Sequence, residues 1–195
     1  MKSSVRIKHL LAAACFLAGF AATATAVEIS GVKLDDKVTV AGKELQLNGG
    51  GVRTWAIFQV YVLGLYLPQK KSAVADVLAL SGPRRVEMVF LREMNSEEFG
   101  EAFMKGLNAN SDKAEKSKFV NQTVKMGEIF ASIPSLKKGD WITCDWVPGS
   151  GMVIQVNDKK IGETLPDIGF YNAFLKIWLG EKPADDALKP KMLGL

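Results

Sequence analysis

Histidine and cysteine are almost missing from this sequence, and the few copies sit in telling places. The one histidine is His9, and the two cysteines are Cys15 and Cys144. His9 and Cys15 fall in an N-terminal stretch with a character of its own. Lys2, Arg6 and Lys8 make a basic start, Leu10 to Ala22 is uncharged and mostly apolar, and Ala24-Thr25-Ala26 supplies small residues. That order is the pattern of a secretory signal cut after Ala26. Its apolar run of 13 residues falls short of the roughly 20 that a membrane span needs, which counts against an uncleaved anchor. A lipoprotein signal fits less well, because Ala12 stands where leucine is wanted and Cys15 lies in mid-run. The expectation is a signal peptide over 1–26, a periplasmic or secreted domain over 27–195, and no integral membrane span after cleavage.

Cleavage narrows the chemistry. It takes the only histidine, so a His base, a His metal ligand and a Ser-His-Asp relay are all excluded. One thiol remains, Cys144, and no internal disulfide can form even where the compartment allows one. A zinc site would need carboxylates around that single thiolate, a rare set, so no metal or cofactor is expected. The leader carries three of the 25 Lys and Arg and none of the 21 Asp and Glu, so the net charge falls from +4 to +1. The basic character belongs largely to the leader. No basic run interleaved with aromatics is left, and nucleic acid is not an expected partner. The remaining 169 residues suffice for one domain with a sizeable core.

What is present is a series of short strands and a few helices. Glu28–Leu34, Val38–Val40 and Glu44–Leu47 alternate as strands, and Asn48-Gly49-Gly50-Gly51 reads as a permissive loop. Val52–Leu67 is apolar at both parities, as in a strand lying between two layers or lining a cavity. Arg53, Gln59 and Tyr61 share one parity there. Ser72–Leu80 reads as a short helix and Arg85–Leu91 as a strand. Asn95 or Ser96 caps a helix that carries Phe99, Phe103 and Leu107 at four-residue spacing. A longer helix is expected from about Ser111 to Phe130. Gly139–Val147 and Gly151–Val156 are strands, and Asn157-Asp158 turns into a further hairpin strand over Lys159–Glu163. A last helix, about Asp167–Leu179, is apolar over most of its surface and ends at Gly180. Cys144, Trp141 and Trp146 read as core. This order makes the fold α+β.

The residues that carry a resemblance are Gly50-Gly51-Val52-Arg53 and Val60-Tyr61-Val62-Leu63-Gly64-Leu65-Tyr66-Leu67-Pro68. Trp146-Val147-Pro148-Gly149, Val156 to Gly162, and Ile177 to Pro183 with Leu188-Lys189 and Leu193-Gly194 extend it. In their order and spacing, the chain resembles the chalcone isomerase-like family in its bacterial exported branch. The resemblance implies an open-faced β-sandwich, a large antiparallel sheet covered by helices with a cleft between. Members of that family close chalcones into flavanones, bind fatty acids without chemistry, or act as non-catalytic helpers.

Only one of the enzymes' four polar catalytic positions is clearly kept. Their Arg falls on Arg53. Their Thr falls on Tyr61, their Tyr near Phe99, and their Asn near Gly106, with Asn108 close by. A Tyr at position 61 is similar to the fatty-acid-binding branch, where Arg and Tyr hold a carboxylate. The resemblance therefore implies a non-catalytic binder of a fatty acid or similar apolar carboxylate. Arg53 and Tyr61 would hold the head, with Tyr66, Phe99, Phe103 and Trp178 around the ligand. Two alternatives stand beside it. One is an intramolecular lyase of the chalcone isomerase type, with Arg53 stabilising an enolate. The other is an envelope module with a filled core and Arg53 paired inside it. One geometric question divides these readings. In one straight strand Arg53 and Tyr61 would be roughly 26 Å apart at about 3.3 Å per residue, too far to share a carboxylate. A sharp bend near Trp55–Phe58 would bring them together.

Overall fold

The computed structural model describes residues 26–133 and 135–195. The signal-peptide reading rests on residues that lie almost wholly outside these. Strands β1 (Ala26–Ile29) and β2 (Val32–Asp35) form a hairpin. Ser30 and Gly31 turn it at φ of 49° and 80°. Two left-handed residues in succession close a two-residue turn, and this splits what alternation alone read as one strand.

A seven-stranded antiparallel sheet follows in chain order. It comprises β3 (Lys37–Val40), β4 (Lys43–Trp55), β5 (Phe58–Leu67), β6 (Arg84–Phe90), β7 (Trp141–Val147), β8 (Gly151–Val156) and β9 (Lys159–Lys160). Helix α1 (Val74–Leu78) joins β5 to β6. Helices α2 (Ser96–Ala109), α3 (Lys113–Lys118) and α4 (Val120–Ser132) join β6 to β7. Helices α5 (Ile168–Leu179) and α6 (Leu188–Met192) come last. Val86, Met88 and Phe90 of β6 face a core shared with α1, α2, α4, α5 and α6. On the other face Val62 and Tyr66 pack with Leu34 of the β1–β2 hairpin and with Val40, Leu45 and Leu47. The architecture is thus α+β, a large antiparallel sheet with helices on one face.

Four local expectations are corrected. Asn48–Gly51 is not a loop but the middle of β4. Its glycines serve close approach rather than a turn. A Cβ on Gly49 would lie 2.1 Å from the Lys191 carbonyl oxygen, and one on Gly50 2.7 Å from that of Leu63. Here α6, absent from the sequence reading, presses directly on the strand. The long helix over 111–130 is two helices, broken at Phe119, whose ring turns into the core against Phe170. A capping box between Asp112 and Glu115 starts the first of them. Trp141 is only half-buried at the edge of β7, with its indole nitrogen 3.4 Å from Asp158. The segment Val52–Leu67 is two strands: β4 and β5 reverse through Ala56-Ile57, with Ala56 at φ 53°.

Candidate functional site

That reversal decides the geometry of the site. Arg53 and Tyr61 are directly paired across β4 and β5. Residues opposite one another in an antiparallel pair project to the same face, about 5 Å apart at Cα. A register shift between Arg53 and Thr54 marks a bulge beside the pair. Bulges re-aim side chains at the ends of ladders. Both side chains line one cavity on the helix-covered face.

The sheet forms its floor with Arg53, Tyr61, Met88, Ile142, Cys144 and Ile154, drawn from five successive strands. Four strand spacings of about 4.8 Å make that floor about 19 Å across. The roof comes from Phe99 and Phe103 of α2, Met126 and Phe130 of α4, and Phe174, Ile177 and Trp178 of α5. A circuit of aromatic contacts encloses the space. It runs Tyr61–Phe90–Phe99–Phe130–Phe103–Phe174–Trp178, with ring centroids 5.0 to 6.1 Å apart. A hydrogen bond closes it, the Trp178 indole N–H donating to Tyr61 Oη at 2.9 Å. The cavity volume is about 40 Å³, when a single water needs about 10–15 Å³ by the same measure. The space is narrow as it stands. Met88, Met94 and Met126 lie along it, and methionine is the apolar side chain most able to change shape.

Polar atoms are few and of one kind. The Tyr61 oxygen already accepts from Trp178, so its own O–H is left to donate. Burial pushes the Tyr61 phenol above its usual pKa, and the nearby Arg53 charge partly opposes this. The phenol therefore stays protonated at neutral pH. Arg53 is half-buried and, among the described residues, its side chain has no ion pair or hydrogen bond. The nearby carboxylate, Asp185, is engaged elsewhere: it accepts from Thr54 N at 2.8 Å and from Ala187 N at 2.9 Å. Burial also holds the Cys144 thiol far above its ordinary range, which keeps it neutral. The donors at this end of the cavity outnumber the acceptors, and one donor carries a positive charge.

Of the residues singled out from sequence, Arg53, Tyr61, Phe99, Phe103 and Trp178 share this cavity. Tyr66 does not. It has even parity with Val62, so it points through the sheet into the second core under Leu34. There its hydroxyl adjoins Glu87 yet makes no hydrogen bond of good geometry among the described residues. Asn108 is exposed and supplies nothing to the cavity. Gly106 serves packing, since a Cβ there would meet Ile177 Cγ2 at 2.7 Å. Sequence reasoning missed the three methionines and Asp185. No periodic signal marks them, because they come from separate elements and meet only in the fold. Among the described residues no cluster of His, Cys, Asp and Glu could hold a metal, and no helix is long and apolar enough to cross a membrane.

A sheet with one helix-covered face, a cavity between the layers and an Arg at the cavity's edge defines the class of protein. The sequence matches the profile described as chalcone isomerase-like over residues 26–194. The chain therefore belongs to the chalcone isomerase-like family. No curated protein matches it. Among solved structures it is similar to a fatty-acid binding protein of Arabidopsis thaliana, AtFAP1. The TM-score is 0.65 at 13% identity, covering 87% of this chain and 96% of that one. At that identity the likeness speaks for the fold.

Proposed function

We propose that this protein holds a fatty acid or a similar apolar carboxylate in the cavity, without chemistry, and that it works outside the cytoplasm. The observation that carries the reading is the pairing of Arg53 with Tyr61 at one end of an apolar, aromatic-walled space. A guanidinium and a phenolic O–H present mainly donors and one positive charge, which suits a carboxylate better than an alcohol and disfavours an ammonium group. Charge-assisted bonds of this kind are worth about 1.5–3 kcal/mol each. The rest of the lining is apolar and suits an acyl chain, which enters by displacing Met88, Met94 and Met126. The name of the similar Arabidopsis protein agrees with this class of ligand.

The lining offers little to acid–base catalysis, since burial keeps the Tyr61 phenol and the Cys144 thiol protonated. The resemblance puts the enzymes' tyrosine near Phe99, which has no hydroxyl. Export rests on the leader pattern of residues 1–26 alone.

Native mass spectrometry of protein purified from the cells that make it tests the reading. The expected result is a co-purifying acyl carboxylate, or stoichiometric uptake of added fatty acid. No bound lipid and no uptake would overturn it. Decay of chalcone absorbance above the spontaneous rate, abolished by Arg53→Ala, would replace it with the lyase.

A further inference from the structure

The β4–β5 hairpin ends in an apolar tip that the cavity does not use. Trp55 is 62% exposed, Ile57 86% and Phe58 51%, and they are carried on a two-residue turn. These are three of the few large apolar side chains exposed on the described residues, and they fall within four positions around one bend. Leaving such a group in water is costly, so it marks a contact surface. Ala56 takes a left-handed φ of 53° in the turn, and Trp55 and Phe58 pair across it. Arg53, two residues before Trp55, lies at the cavity's edge, so tip and mouth are adjacent.

The charged group seated on the apolar tip is a cation. The Arg92 guanidinium lies 5.4 Å over the Phe58 ring. Arg92 and Arg53 have no ion-pair partner among the described residues. Exposed Glu93 follows Arg92 but only its backbone carbonyl accepts from the Arg92 Nε, at 3.3 Å. Asp185 is held by Thr54 and the start of α6. An exposed tip of Trp, Ile and Phe with a free guanidinium on its flank matches a bilayer. The rings enter the interface, where Trp is favoured, and the cation meets lipid phosphate.

We infer that the hairpin tip docks on an anionic phospholipid surface and sets the cavity mouth against it, so that an acyl carboxylate passes between bilayer and cavity. The docking rests on the tip. Its purpose rests on the cavity's holding such a ligand, and the test separates the two. Flotation with vesicles of phosphatidylethanolamine and phosphatidylglycerol compares wild type with Ile57→Asp, both carrying the same N-terminus. Ile57 points into solvent, so the substitution spares the fold. Partitioning is expected to fall at least tenfold in Ile57→Asp, while uptake of a fluorescent fatty acid from vesicle-free solution stays unchanged. Arg92→Glu is expected to lose several-fold on these vesicles and nothing on phosphatidylcholine alone. Failure of wild type to float, equal flotation of Ile57→Asp, or saturable binding of the tip to a protein and not to vesicles would each overturn the docking. Flotation without fatty-acid uptake would leave the docking standing and remove the cavity reading.

Discussion

Two arginine–tyrosine pairs lie on the helix-covered face of the sheet, one on either side of α5's length. At one end Arg84 is fully buried. Its guanidinium lies 5.0 Å over the Tyr171 ring, and its Nη1 donates to the Val77 carbonyl at 3.0 Å and to Asn172 Oδ1 at 2.9 Å. The Tyr171 hydroxyl shares its one proton between the backbone carbonyls of Arg84 and Cys144, at 3.3 and 3.2 Å. At the other end Arg53 is half-buried with no protein acceptor among the described residues, and Tyr61 receives a bond without giving one. Next to Arg84 on the opposite face, Arg85 makes a forked pair with Asp145 at 2.6 and 2.7 Å. Arg84 has no carboxylate partner, and its Nε and Nη2 make no hydrogen bond among the described residues, so Nη1 and the Tyr171 ring alone hold it. The contrast teaches that Arg84 and Arg85 tie elements of this fold together, whereas Arg53 faces outward chemistry.

The contrast can be broken from either end. Arg84→Ala is expected to have the largest effect on the fold. It strands the Val77 carbonyl and Asn172 and opens a void, for a loss of about 3 kcal/mol. In a chain of this size that lowers Tm by roughly 6–12 °C, which scanning calorimetry reads. Arg53→Ala should move stability by no more than about 0.5 kcal/mol, as an unpartnered side chain does. Equal losses in the two variants would erase the distinction.

Tyr61→Phe comes next. It leaves the buried Trp178 N–H without an acceptor, at a cost of about 1–3 kcal/mol, and removes one donor to the ligand. Chemical denaturation should show the first effect and a several-fold weaker binding of fatty acid the second. Replacing Met88 and Met126 by Leu should cost less than about 1.5 kcal/mol, because volume is nearly kept. The stiffer branched side chains should nonetheless slow ligand uptake, seen by stopped-flow fluorescence. Unchanged uptake would mean that the cavity opens by some other movement.

The smallest effect lies on the packed face, at Glu87. Burial holds its carboxyl above the ordinary value, so the fold penalises the ionised form, with Tyr66 and Arg85 easing this. The penalty is present above the raised folded pKa and fades as pH falls towards the unfolded value. Glu87→Gln should therefore raise Tm most near pH 8, with the gain shrinking as the medium is acidified. A gain independent of pH would assign the effect to packing instead.

Much of the fold was legible because alternation and capping are local. The Asn95 cap of α2 appears where the sequence placed it, its side chain accepting from Glu98 N at 2.8 Å. The family motifs located Arg53 and Tyr61. Alternation could not tell one strand from a tight hairpin in Val52–Leu67, since Ala56-Ile57 holds neither Gly nor Pro. That single turn is what converts a separation of tens of ångströms into a pair. Tyr66 was legible too, since positions 61 and 66 differ in parity within β5, so grouping it with Tyr61 ran against the local alternation. Gly49 and Gly51 looked permissive because their partner, α6, is distant in sequence, and Gly50 because its neighbours are Leu63 of β5 and Leu34 of the first hairpin. The unpaired state of Arg53 and the Trp178–Tyr61 bond depend on contacts between strands and α5, which no local pattern reports.

The central claim is that Arg53 waits for a carboxylate. The most direct test measures binding of a fatty acid and of the alcohol of the same chain length, for wild type and Arg53→Ala, by isothermal titration. Wild type is expected to prefer the acid by at least tenfold, consistent with one charge-assisted bond of about 1.5–3 kcal/mol. Arg53→Ala should bind both with similar, weak affinity. Equal binding of acid and alcohol by wild type, or an acid preference that survives in Arg53→Ala, would contradict the account.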